Sequence, residues 1–160
     1  MLRKVLIGLL AIFVLIQFFR PEKNQSEGIS PNDISTKYAV PASVQTVLKR
    51  SCFDCHSNNT VYPWYDNIQP VSWWLANHIE EGKSELNFSE FTTYPPKKAR
   101  HKLEEVAEAV TDGWMPLSSY LRIHQDAKLK PEEAKLIADW ANQLRSQIQL
   151  PAGETEEHHH

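Results

Sequence analysis

The chain has two cysteines, and both fall in the segment Ser51–Ser57, Ser-Cys-Phe-Asp-Cys-His-Ser, with His56 directly after the second. No other feature constrains the fold as tightly. Two thiols separated by two residues, with an imidazole attached, must be presented by about one helical turn of backbone. The rest of the domain has to be built around that turn.

Four chemistries use such a spacing. A structural disulfide would close so short a loop that it restrains little of the unfolded chain, and it leaves His56 without a role. A thioredoxin-like redox pair calls for a strand leading into a helix, whereas the residues before Cys52 are helical in pattern. A zinc site needs a fourth ligand, and adjacent Cys55 and His56 fit poorly at two vertices of one tetrahedron. Covalent haem attachment has C-x-x-C-H as its signature and uses every residue. Cys52 and Cys55 would meet the two vinyl groups of one porphyrin, and His56 would be carried beneath the iron as proximal ligand.

An iron held in this way takes a second axial ligand or stays open. The candidate is Met115, in Asp-Gly-Trp-Met-Pro-Leu, because the only other methionine is the initiator. A thioether is a soft, neutral donor to haem iron, and Pro116 stiffens the loop that would hold it. The distal rivals are His78 and His124. His78 falls on the apolar face of its helix, the place of a packed core histidine. His124 falls in the turn after Met115. His101 stands among Lys98, Arg100 and Lys102 and is expected to be solvated.

Elsewhere the apolar pattern is helical. Val44, Val47 and Leu48 follow Pro41. Val71, Trp74, Leu75, His78 and Ile79 form a stripe that begins at Pro70, with Gly82 as the expected stop. Ala99, Leu103, Val106, Ala107 and Val110 form another, ending at Gly113. A short helix is expected over Ser118–His124, and a last one from Pro131 carries Leu136, Ile137, Trp140 and Leu144. No alternating strand pattern appears. The domain is therefore expected over 38–150 as all-α, with long loops at 57–69 and 83–96. Such loops suit a fold that wraps a cofactor.

The N-terminus differs in composition. Val5–Phe19 is almost wholly apolar after a basic start. At about 1.5 Å per residue it spans roughly 22 Å, short of a ~30 Å hydrocarbon core. No cysteine follows it, which excludes a lipoprotein signal. Residues 1–20 are read as an uncleaved membrane-anchor helix rather than a cleaved signal peptide. Residues 21–37 are read as a flexible linker, and 151–160 as a polar tail whose three histidines carry no weight. The formal net charge of −3 and the lack of a basic stripe argue against nucleic acid as a partner. No Ser-His-Asp set, phosphate loop or carboxylate pair offers an enzyme reading.

With Cys52-x-x-Cys55-His56 after a helix, a Met115-Pro116 loop and a C-terminal helix with Trp140, the chain resembles the class I c-type cytochromes. It more closely resembles a family of small bacterial haem-binding domains, over about residues 38 to 146. The narrower likeness lies in Tyr62–Phe91 and in Trp114–Trp140. One departure is Lys130, where such helices often carry a Ser or Thr cap; Glu133 keeps its place three residues on. The resemblance implies a cytochrome c-like helical domain around one covalent haem c, ligated by His56 and Met115. It implies one-electron transfer between redox proteins rather than an enzyme, with a haem-based sensor or enzyme as the alternative if the distal ligand is displaceable. Trp64, Trp73, Trp74, Trp114, Trp140, Tyr62 and Tyr65 are then candidates for the haem wall. The expected location is a bacterial inner membrane, the domain facing the periplasm, with a soluble periplasmic domain as the alternative if residues 1–20 are a cleaved signal segment.

Overall fold

Proline sets the start of the four longer helices that follow the N-terminal one. The computed structural model describes residues 1–151, and the rest of the tail expected over 151–160 lies outside them. Helix α1 spans Leu2–Ile16, α2 Ile34–Lys37, α3 Ala42–Ser51, α4 Phe53–His56, α5 Val71–Glu85, α6 Pro96–Thr111, α7 Ser118–Leu121 and α8 Pro131–Gln147. Short 3-10 turns at Trp64–Asn67 and Phe88–Thr93 take up much of the two expected loops, and a third lies at Gln125–Ala127. Among the described residues there is no strand, only an isolated bridge between Gln25 and Asn59. The all-helical class is as expected.

Pro96 and Pro131 open α6 and α8 as first-turn residues, where a missing N–H costs nothing. Gly113, at φ +75°, takes the left-handed position just past α6. Helices α6 and α8 pack along each other, and α3 lies across α8. Leu48, Val44, Leu103, Ile137 and Ala141 are fully buried where these three meet. Removing one such leucine side chain leaves a cavity costing about 2–5 kcal/mol. Trp140 belongs to this core, only 6% exposed, its indole N–H donating to the Ala39 carbonyl at 3.2 Å. It is a packing residue.

Two expectations are corrected. Gly82 does not stop α5, which continues to Glu85; its role is close approach, described below. The stretch 21–37, read as a flexible linker, is folded onto the domain. Its polar side chains, which look like a linker in composition, are used as hydrogen-bonding groups. Asn24 donates from Nδ2 to the Ser57 carbonyl (2.8 Å) and the Thr60 hydroxyl (2.9 Å), and its backbone N–H donates to the Tyr62 hydroxyl (2.7 Å). Asp33 caps α2 by accepting from the Ser35 N–H, and Ile34 is 2% exposed in the core. Glu90 accepts from Ser30, Asn32 and Asn58, joining this stretch to the loop after His56.

Helix α1 has no buried residue. Among the described residues no helix is long and apolar enough to cross a membrane. The expected transmembrane helix is thus not found at spanning length.

Candidate functional site

Helix α3 delivers the cysteines. The Cys52 N–H bonds back to the Leu48 carbonyl at 2.8 Å, closing α3. The N–H groups of Cys55 (3.2 Å) and His56 (3.0 Å) both bond to the Cys52 carbonyl. The result is the one-turn helix α4, Phe53–His56, which follows Cys52 directly and carries Cys55 and His56 on the same turn of backbone. Phe53 pins the turn to the core through the Phe88 ring, 5.5 Å away between centroids. Arg50 anchors the end of α3 from behind, forking onto the Glu133 carboxylate of α8 at 3.0 and 2.8 Å.

Both thiols are free. Burial, with the neighbouring Cys55, pushes the Cys52 thiol up to about 12, and burial with Asp54 pushes Cys55 up to about 11. Both are neutral thiols at neutral pH. That opposes a redox pair, whose attacking cysteine needs a lowered value. Among the described residues no three or more His, Cys, Asp or Glu side chains are grouped to hold a metal ion, which opposes the zinc reading.

His56 is oriented by α5. Its Nδ1 lies 3.0 Å from the Leu86 carbonyl at the end of that helix. A carbonyl can only accept, so Nδ1 carries the proton and Nε2 keeps its lone pair. Burial also lowers the His56 value, favouring the neutral imidazole. This is the arrangement of a ligating histidine whose second nitrogen is held by a backbone acceptor. The close approach of α5 that makes it possible depends on Gly82. A Cβ there would sit 2.7 Å from the Cys55 carbonyl oxygen and 3.0 Å from its Cβ.

Met115 is half-buried in the loop between α6 and α7, its N–H bonded to the Ala109 carbonyl at 3.2 Å. The loop's link to the motif is Tyr120, whose hydroxyl donates to the Asp54 carboxylate at 2.7 Å. Asp54, between the cysteines, also accepts from the Val61 N–H (3.0 Å). Tyr120 stacks on His124 with centroids 4.4 Å apart, and His124 Nε2 meets the Tyr65 hydroxyl at 2.7 Å. Burial and the Asp54 bond raise the Tyr120 value, so it stays a donor. His124 is therefore engaged within this network. His78 is half-buried, not a core residue; its Nδ1 donates to the Trp74 carbonyl at 3.0 Å and its ring lies against the Trp74 ring. His101 is half exposed and pairs with Glu105 at 3.2 Å.

Asp54, Tyr120, Leu86 and Arg50 do not stand out in the sequence, and Gly82 and Glu133 stand out there only as a helix stop and a capping residue. Of the first four, only Asp54 has a signal that could have found it, its place inside the motif. The segments tied to the motif bear solvent-facing apolar side chains: Val61, Trp64, Trp114, Leu117 and Ile123. Gln69, just before α5, has a buried side-chain amide with no protein partner. The neutral thiols of Cys52 and Cys55 and the oriented imidazole of His56 are chemically suited to a porphyrin; Met115 is tied to that turn only through the Tyr120–Asp54 bond of its neighbouring helix.

A family model described as a haem-binding domain matches residues 11–143. The chain belongs to this family. No curated protein and no solved structure matches the chain. The haem-binding domain thus takes in the folded stretch before residue 38 and the second half of α1, consistent with the docking of Asn24 and Ile34.

Proposed function

We propose that this haem-binding domain is a monohaem c-type cytochrome that passes single electrons between redox proteins. The observation that supports this best is the Cys52–Cys55–His56 turn with its Nδ1–H bond to Leu86. It offers two thiols and one oriented Nε2 in a single helical turn. Cys52 and Cys55 would hold the group through two thioether bonds, each thiol S–H adding across one of its two vinyl groups. His56 Nε2 and the Met115 thioether would be the residues that ligate its iron. Haem c, when bound, supplies an iron that gains and loses one electron.

The chain's own residues then do three things. The Leu86 carbonyl keeps the His56 ring in one orientation and makes Nε2 a stronger donor. The Tyr120–Asp54 bond holds the Met115 loop against the cysteine turn. Trp64, Trp114, Leu117 and Ile123, solvent-facing without the group, would supply apolar surface to cover it and keep water from it, which lowers the rearrangement that accompanies electron transfer. With His56 and Met115 both ligating the iron, no position would remain for substrate, so the reading is an electron carrier rather than an enzyme. Its partners are redox proteins, not nucleic acid.

The proposed location is the periplasmic side of a bacterial inner membrane, with α1 holding the domain to the lipid. A helix shorter than the hydrocarbon core is accommodated by local thinning and by snorkelling of flanking charges such as Arg3 and Lys4. The test is maturation in a haem-attaching host with and without residues 1–20. Export-dependent holo-protein is expected. Holo-protein made in the cytosol from the truncated chain would contradict the location.

A further inference from the structure

Helix α1 does not leave the domain freely. Gln17, just past its last residue, forms a reciprocal pair with Gln69. Its Nε2 donates to the Gln69 carbonyl (3.2 Å), and its Oε1 accepts from the Gln69 N–H (2.9 Å). The same Nε2 donates to the Phe13 carbonyl (2.9 Å), locking the side chain to its own helix. Two residues on, the Phe19 carbonyl accepts from the Trp73 indole N–H at 2.7 Å. Lys23 then pairs with the buried Asp66 at 3.0 Å. The end of α1 is fastened at successive points to the segment that opens α5.

The surroundings of this junction are apolar and solvent-facing. Phe18, Phe19, Ile68, Val71 and Trp73 are all exposed. Above them α1 exposes apolar side chains on every side, and none is buried. A protein groove covers one face of a helix; only lipid surrounds all of them. Basic residues bracket the apolar run, Arg3 and Lys4 at one end and Arg20 at the other, long side chains of the kind that reach lipid headgroups from a run shorter than the hydrocarbon core. A tryptophan with its N–H bonded and its ring exposed suits the headgroup layer.

We propose that the edge formed by Phe18, Phe19, Ile68, Val71 and Trp73 rests in the headgroup layer of a lipid bilayer, and that the Gln17–Gln69 and Trp73–Phe19 hydrogen bonds fix the domain's attitude on the membrane. The inference rests on the proposed attachment through α1. It makes the domain a rigidly mounted carrier rather than one on a free tether. Helix α5, which backs the Cys52–His56 turn, is held at a set height above the lipid, so partners in the same membrane meet one face of the domain.

The test uses full-length holo-protein in vesicles of phosphatidylethanolamine and phosphatidylglycerol. One set contains a lipid with a diazirine near the headgroup, another a lipid with the diazirine in the acyl chain. After photolysis, labelled peptides are read by mass spectrometry. The acyl probe should label α1. The headgroup probe should label residues 68–73 severalfold more than the outer face of α8 at Lys135 and Asp139. Gln17→Ala combined with Trp73→Phe should reduce the label on 68–73 to the α8 level while α1 stays labelled. If α1 is labelled but 68–73 never exceeds α8, the domain swings free and the inference fails while the attachment stands. If neither is labelled, the attachment fails and the inference with it. Full label on 68–73 in the double variant overturns the role of the two hydrogen bonds.

Discussion

The Tyr120 hydroxyl donates a 2.7 Å hydrogen bond to the Asp54 carboxylate, joining the helix after Met115 to the middle of the cysteine turn. The two halves of the site come from residues far apart in the chain, and this bond spans them. Tyr120→Phe removes the donor and keeps the ring stacked on His124. The expected loss is about 1.5–3 kcal/mol, the range for a hydrogen bond to a charged group. Urea unfolding of the holo-protein measures it. The variant should also bind imidazole at the iron more readily, since the Met115 loop is held less firmly, while its haem stays attached.

Gly82 carries the second prediction. In an exposed helix interior, Gly→Ala adds about 1 kcal/mol of helix stability. Here the new methyl would stand 2.7 Å from a backbone oxygen, which cannot turn aside. Overpacking costs typically about 1–3 kcal/mol, so it outweighs the propensity gain. Gly82→Ala should lower the unfolding midpoint and weaken the His56–Leu86 bond. A shift of the His56 ring-proton resonance in the ferrous protein reports the second effect. A variant more stable than wild type would contradict the close approach of α5.

Acid should weaken the join between α3 and α8. The Arg50 guanidinium holds the Glu133 carboxyl down at about 2, from an ordinary 4.5. A carboxyl lowered by folding stabilises the protein fully above its ordinary value, and that contribution is lost as pH falls from there toward the folded value. Glu90 is lowered as well, chiefly by Asn32, and acts in the same direction. Thermal midpoints should therefore fall between roughly pH 4.5 and 2. Glu133→Gln should be less stable than wild type at neutral pH, and the two should converge at the acid end. A constant gap across that window would contradict the linkage.

Much of this fold was legible because prolines and apolar stripes sit where helices begin and pack. Val44 and Leu48, Leu103, and Ile137 and Trp140 each showed their buried face in helical spacing. The motif Cys52–His56 was legible because its chemistry leaves few alternatives. What stayed hidden depends on partners distant in sequence. Asn24 reads as linker until Ser57, Thr60 and Tyr62 are brought beside it. Gly82 reads as a helix stop, because nothing nearby in sequence tells of the Cys55 carbonyl against it. Trp140 and Trp73 look alike as aromatics, yet one fills the core and the other reaches the end of α1.

The distal ligand decides whether the site is closed. Met115→Ala should give a high-spin or water-ligated ferric haem that binds carbon monoxide readily once reduced. Met115→His should stay low-spin at a lower reduction potential, because imidazole favours the ferric state more than a thioether does. His124→Ala should leave the ligation intact and loosen only Tyr65 and Tyr120. Absorption in the far red, where a methionine–ferric iron bond gives a weak band, separates these outcomes. Absence of that band from the wild type, with His124→Ala and not Met115→Ala opening the site to carbon monoxide, would replace Met115 by His124 and make the centre bis-histidine.

The most direct measurement is the mass of the denatured protein after maturation in a haem-attaching host and extraction with acidified acetone. Two thioethers from Cys52 and Cys55 predict a polypeptide heavier by one haem, with no haem in the organic phase. Cys52→Ala should keep one bond or none. A wild-type polypeptide at its unmodified mass, with its haem recovered in the acetone, would contradict covalent attachment and the c-type reading built on it.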